Sequence, residues 1–205
     1  MTTLQNILNN IKTFASHTCQ EDSPYNKQVT QGQQAKILVI GCCDSLVDPT
    51  TLMGTELGEA FVHRNIAGLV PPCELDDNDH YHGTSAALEF ATLGLQVEHI
   101  ILLGHGNCGG IRFLRTQDIL LQKEKSFLAR WMMIANKAKE QLPSLDPEQQ
   151  KPLEMEALKI SFQNLLTFPW LQKRVESGSL QLHAWHFDRG VLHIYHPETG
   201  MFNLA

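Results

Sequence analysis

The sequence predicts an α/β fold with a mainly parallel central sheet flanked by helices, on three observations. Short apolar runs rich in branched residues, "KILVIGC" at 36–42 and "HIILLGH" at 99–105, read as strands buried on both faces. Helix-period segments alternate with such runs, as βαβ units require. No internal repeat, low-complexity tract or linker divides the 205 residues, a length that suits one domain, 1–205, with a sizeable core.

The elements follow in order. Leu4, Ile7, Leu8, Ile11 and Phe14 fall at helical spacing, so residues 3–15 read as an amphipathic helix with Thr2 or Thr3 as its N-cap. Residues 1–20 form a helical arm that covers either the chain's own core or a partner subunit. Residues 20–35, polar and irregular, read as a surface connection. Strands are expected at 36–42, at "AFVHRN" (60–65) and at 99–105. The segment 82–96 has helical spacing through Ala86, Leu88, Ala91 and Leu95. Beyond Gly109-Gly110 one helical segment covers roughly 111–141 and another roughly 147–176, broken at Pro169. The closing stretch from Ser179 to Phe202 alternates as two strands joined at Asp188-Arg189-Gly190.

Composition excludes several classes. With 42% hydrophobic and 19% charged residues the chain is ordinary for a soluble globular protein. Its net charge of -6 offers no footprint for nucleic acid, and no basic run suggests a membrane surface. The first residues carry no basic leader followed by an apolar stretch, and no apolar run is long enough for a membrane span, which points to the cytoplasm. Five cysteines, two of them adjacent, make a poor disulfide framework; in a reducing compartment such thiols are metal ligands, nucleophiles or core filler.

Two stretches carry chemistry: "GCCDSLVDP" at 41–49 and "GHGNCGG" at 104–110. Ligands collect beyond the carboxyl ends of parallel strands. Cys42 and Asp44 directly follow the first strand, and His105 and Cys108 follow the third, so two distant loops can converge on one point. Cys42, His105 and Cys108 make a two-sulfur, one-nitrogen set that suits Zn²⁺ and leaves a fourth position for water or the Asp44 carboxylate. Spacing alone leaves two readings open, metal ligands or packed core thiols. Gly104, Gly109 and Gly110 favour the first by allowing tight turns around the ligands. A phosphate-cradling reading of "GHGNCGG" is the weaker one, since the stretch lacks the Lys-Ser/Thr of a P-loop and carries two good metal ligands. Cys43 is expected to point away from Cys42 as a core thiol.

The pairing of "CCDSLVDP" with "GHGNCGG" resembles the β-class carbonic anhydrases, whose pattern is C-x-D-S-R followed by H-x-x-C-G-G. The resemblance runs through "GEAFVHRNIAGLVPP", "HGTSAALEFATLGLQVEHIILLGH" and "LQLHAWHFDRG", covering most of the chain from about 36 to 190. It implies that Cys42, His105 and Cys108 hold zinc. It also implies that Asp44 either accepts a hydrogen bond from water on the metal or swings in as a fourth ligand. The activity implied is reversible hydration of carbon dioxide to bicarbonate, in a homodimer or homotetramer whose exchanged arm is the N-terminal helix.

Two departures qualify that expectation. The family's Arg, which pairs with the Asp and holds it off the metal, is Leu46 here. Leu46 is therefore expected to weaken hydration by favouring a closed site, and a more apolar pocket would suit carbonyl sulfide or carbon disulfide as substrates. A catalytically silent zinc protein, serving as a sensor or structural subunit, is the alternative from another class. Some members also bind bicarbonate at a regulatory Trp-Arg-Tyr site. This chain keeps Arg64 but has Val39 and Phe187 at the other positions, which argues against that site and leaves Arg64 structural or functional.

The remaining candidates read as packing or surface. His80 and His82 are expected to be loop histidines. His183, His186, His193 and His196 alternate between sheet faces, and Trp131, Met132 and Met133 are expected to pack a helix. No nucleotide fingerprint is present.

Overall fold

Strand β1 (Ile37–Cys42) lies between β2 (Ala60–Asn65) and β3 (His99–His105), and β3 pairs on its other side with β4 (Gln181–Asp188). All three pairings are parallel. β5 (Val191–His196) and β6 (Met201–Leu204) extend the sheet antiparallel beyond β4. The structure is a computed structural model that describes residues 2–74, 82–116, 126–142, 146 and 149–205. The mainly parallel sheet expected from the branched apolar runs is thus present. Leu38, Val39 and Ile40 are fully buried because β1 is covered on both faces.

From β1 the chain crosses to β2 on one side and then passes to β3 on the other. The direction of winding reverses between β1 and β3, so a crevice opens beyond their carboxyl ends. Those ends carry Cys42 and His105.

The helices follow the expected order, with corrections. Helix α1 (Thr3–Thr18) is capped by Thr2, whose side chain accepts from the Gln5 amide. The stretch expected to be an irregular connection instead contains α2 (Pro24–Gln31). Its start is a Ser23 side-chain cap followed by proline at the first position, a local signal that outweighs the missing apolar stripe. After α3 (Pro49–Met53), the 82–96 helix appears as α4 (Gly83–Glu89), running on as a π-helical turn at Phe90–Gly94. The single helix expected at 111–141 is, in its described parts, three: α5 (Gly109–Thr116), α6 (Phe127–Met132) and α7 (Asn136–Gln141). Ser126 starts α6 afresh by accepting from the Ala129 amide. α8 (Lys151–Leu165) and α9 (Pro169–Glu176) match the segment broken at Pro169. Among the described residues, no helix is long and apolar enough to cross a membrane. β6 was not anticipated: "MFNL" is short and pairs with β5 alone.

Two apolar clusters hold the layers together. One packs Leu38, Ile40, Ile100 and Leu102 of the sheet against Leu88, Phe162 and Leu165. The other surrounds the strand ends, where Cys42 and Cys108 lie among Leu69, Ile111, Leu114 and Met132. Trp131 donates its indole N–H to the Ile66 carbonyl, whereas Met133 is exposed, so only part of the expected Trp-Met-Met packing is realised. His82 precedes α4, and His80 lies outside the described residues.

Candidate metal centre

Cys42, the last residue of β1, and His105, the last of β3, approach Cys108 at the head of α5. Their candidate donor atoms all lie within 4.8 Å of one another, and all three residues are buried. The two sulfurs are 4.0 Å apart. Tetrahedral zinc with Zn–S bonds of about 2.3 Å would place two thiolates about 3.8 Å apart, so the pair fits such an ion nearly as it stands. His105 Nδ1 donates to the Gly106 carbonyl at 2.9 Å, since a carbonyl can only accept. That fixes the tautomer and leaves Nε2 buried without a hydrogen-bond partner, the state expected of a metal ligand.

The electrostatics agree. In the metal-free chain the Cys42 thiol is pulled down to about 4, first by the hydrogen bond it shares with Cys108 and also by His105. Cys108 is pushed up by the same shared bond and by burial. Burial works against the charged form of His105, but the sulfur of Cys42 beside it gives a net upward shift. The two thiols thus hold their protons unequally, and a dication bound between them would displace those protons.

Asp44 stands beside this cluster rather than inside it. Its amide faces the Cys42 sulfur at 3.4 Å, and its Oδ1 accepts from the Leu46 amide at 2.9 Å. The Leu46 side chain is 88% exposed, so the main chain of residue 46, and not its side chain, restrains the carboxylate. Arg64, opposite Gly41 in the β1–β2 register, clamps the same loop. Its Nε donates to the Cys42 carbonyl at 2.8 Å, Nη2 to the Asp44 carbonyl at 2.6 Å, and Nη1 to Asp48 Oδ2 at 2.9 Å. Of the two roles left open for Arg64, the structural one, tied to backbone carbonyls, is what these bonds describe.

Two expectations need correction. Cys43 is exposed rather than packed in the core; its amide makes a last sheet bond to the Asn65 carbonyl, and there the chain leaves the sheet. The glycines of 104–110 do not supply left-handed turns, for the positive φ in that loop belongs to Asn107. They supply closeness instead. A Cβ on Gly104 would meet the Leu158 side chain, and one on Gly110 would meet Ala67 and Ile66 at 3.0 Å.

Sequence reasoning missed Glu154, Gln150 and, as a partner of the site, His186. Glu154 accepts from the Cys108 amide at 2.9 Å, from Gln150 at 2.7 Å and from His186 Nε2 at 2.9 Å. The available signal was an acid inside the apolar stripe of α8, one turn before Leu158 and two before Ser161, both buried.

A family model described as carbonic anhydrase matches residues 37–191. The chain is 39% identical over 167 residues to the mitochondrial beta carbonic anhydrase 6 of Arabidopsis thaliana, covering 79% of this chain and 56% of that protein. It therefore spans little more than half the length of that relative. Among solved structures, the beta-carbonic anhydrase CcaA superposes with a TM-score of 0.86 at 25% identity, covering 100% of both chains. A structure reported among two tetrameric beta-carbonic anhydrases of the ascomycete Sordaria macrospora gives 0.75 at 25% identity, covering 98% of this chain and 96% of that one.

Proposed function

Because the chain belongs to the β-class carbonic anhydrases, we propose that it is a zinc-dependent lyase that reversibly hydrates carbon dioxide to bicarbonate and a proton. The observation that carries the proposal is the convergence of the Cys42, His105 and Cys108 donor atoms within 4.8 Å at the point where the sheet reverses. Zinc held there would act as a Lewis acid and bring the ionisation of water close to neutrality. The chain's own residues do the rest. Two thiolates balance the dication's charge, and the Gly106 carbonyl orients the His105 ring. Asp44, whose Oδ1 is held by the Leu46 amide, is the group we assign to water, accepting a proton from water beside the metal or entering as a fourth ligand. Five free thiols fit work in a reducing compartment such as the cytoplasm.

Elemental analysis together with stopped-flow carbon dioxide hydration tests this reading. One zinc per chain and measurable hydration are expected. Zinc without hydration, or turnover of carbonyl sulfide alone, would overturn the assigned activity.

Leu46 is expected to lower that activity by leaving Asp44 without a side-chain partner. Its exposure sets the size of the effect. An exposed ion pair is worth roughly 0.2–1 kcal/mol, so Leu46→Arg should raise hydration at neutral pH by roughly 1.4- to 5-fold. The gain should shrink toward alkaline pH. Superimposable pH profiles of the two proteins would show Leu46 to be neutral.

We also propose that the enzyme is a homodimer or homotetramer, with α1 as an arm laid on a neighbour. No residue of α1 is buried, and Leu4, Ile7, Leu8, Ile11 and Phe14 are all exposed along one stripe. Removing residues 1–20 should lower the particle mass measured by light scattering. An unchanged mass would count against the arm.

A further inference from the structure

Against the Cys108 amide sits an acid that packing does not require. Glu154 is 3% exposed on a face of α8 otherwise lined by Leu153, Ala157 and Leu158, and His186 on β4 is 0% exposed. A buried carboxylate is costly unless both its oxygens have donors. Glu154 meets that demand through the Cys108 amide and Gln150 on Oε1 and through His186 on Oε2. Gln150 also donates to the Cys108 carbonyl at 2.8 Å, so both peptide groups flanking the Cα of this ligand are gripped from α8 and the residue before it.

The fold is arranged to permit that grip. Gly104 brings β3 against Leu158, one turn beyond Glu154, where a Cβ would meet the leucine side chain. His186 comes from β4, opposite Gly104 in the register, and the Gly106 amide donates to the neighbouring Phe187 carbonyl. A histidine from the adjacent strand therefore holds an acid on α8, which holds the amide of a metal ligand on a third element.

We propose that Glu154, oriented by His186, is a positioning residue of the metal centre: by gripping the Cys108 amide it sets the direction from which that thiolate meets the metal. The proposal rests on the zinc reading of the site. Outer-shell partners of this kind typically change metal affinity 10- to 100-fold when removed.

The test is metal binding, not turnover. Glu154→Leu suits the surrounding apolar face, and Glu154→Gln keeps an acceptor for the Cys108 amide without the charge. Zinc affinity would be measured by chelator competition, and the ligand field by the absorption bands of the cobalt(II)-loaded protein. Glu154→Leu is expected to bind zinc roughly 10- to 100-fold more weakly with displaced cobalt bands, and Glu154→Gln to fall between it and wild type. His186→Asn, which touches no ligand, should weaken affinity in the same direction. Glu156→Gln, altering an acid paired with Lys159 on the same helix, should leave affinity unchanged. Should Glu154→Leu fail to fold, Glu154→Gln and His186→Asn carry the comparison. Wild-type affinity and cobalt bands in the folded Glu154 variants would overturn the proposal. So would affinity losses that merely track a lower melting temperature of the metal-free chain. A wild-type protein without zinc would instead overturn the reading of the site itself.

Discussion

Cys108→Ala is expected to leave the purified protein with almost no zinc and to cut carbon dioxide hydration by at least about a hundredfold, two decades or about 2.8 kcal/mol of transition-state stabilisation. Three donor atoms within 4.8 Å define the site, and removing one leaves a two-ligand set that holds a dication poorly. The same substitution separates metal binding from folding. A ligand at a thousand times its Kd stabilises the native state by about 4.1 kcal/mol. For a chain of this length that corresponds to roughly 8–16 °C in Tm. Stripping zinc from the wild type should therefore lower Tm by about that much, whereas Cys108→Ala should melt at the same temperature with and without chelator. In the metal-free variant Cys42 also loses the hydrogen bond that contributes most to its low pKa, and burial then pushes its thiol up. Slower reaction with a thiol reagent at neutral pH is the companion readout. Stoichiometric zinc in Cys108→Ala would show that the ligand set is not this one.

The parts of the fold legible in the sequence are those whose cause is local. β1 and β3 are branched apolar runs, and each ends on a candidate ligand, Cys42 or His105, so strand and candidate site announce one another. β4 and β5 alternate and meet at Arg189-Gly190, both with positive φ. What escaped depends on partners distant in sequence or on a single cap. α2 rests on Ser23 and Pro24 rather than on an apolar stripe. Cys43 is exposed because the chain leaves the sheet at that residue, where alternation no longer predicts direction. The glycines around the ligands were read as turn residues, yet Gly104 and Gly110 serve close approach, which depends on side chains 54 and 43 residues away or more. The same holds for the candidate site. Cys42 and His105 follow from strand ends and Cys108 from the loop three residues on, but Glu154 is 46 residues from the Cys108 amide it holds and His186 is 32 residues from Glu154.

Arg64→Ala is expected to retain zinc and yet lose roughly 10- to 100-fold in kcat/KM, which sets it apart from loss of a ligand. The guanidinium spans the loop after β1, bonding the carbonyls of Cys42 and Asp44 and the carboxylate of Asp48. Asp48 in turn caps α3: its Oδ1 accepts from the Thr51 amide and hydroxyl, and those bonds, ahead of Arg64, hold its carboxyl below the ordinary value. One side chain thus ties Cys42, Asp44 and the next helix together. Hydrogen bonds to a charged group are worth about 1.5–3 kcal/mol when buried, and partial exposure of this pair reduces that. Even a fraction of three such bonds covers the one to two decades expected, about 1.4–2.8 kcal/mol. The clamp matters more in this chain because Leu46 offers no cation to Asp44. Asp44 is held by the Leu46 amide on Oδ1, by the Val47 amide and the Arg64 guanidinium on its carbonyl, and by its own amide facing the Cys42 sulfur. Arg64→Lys should recover only part of the loss, because an ammonium cannot fork between two carbonyls and a carboxylate. Stopped-flow hydration with zinc content measured on the same samples decides the matter. Activity within about twofold of wild type in Arg64→Ala, a difference of about 0.4 kcal/mol, would mean that the clamp does not orient Asp44 and that the loop's own turn suffices.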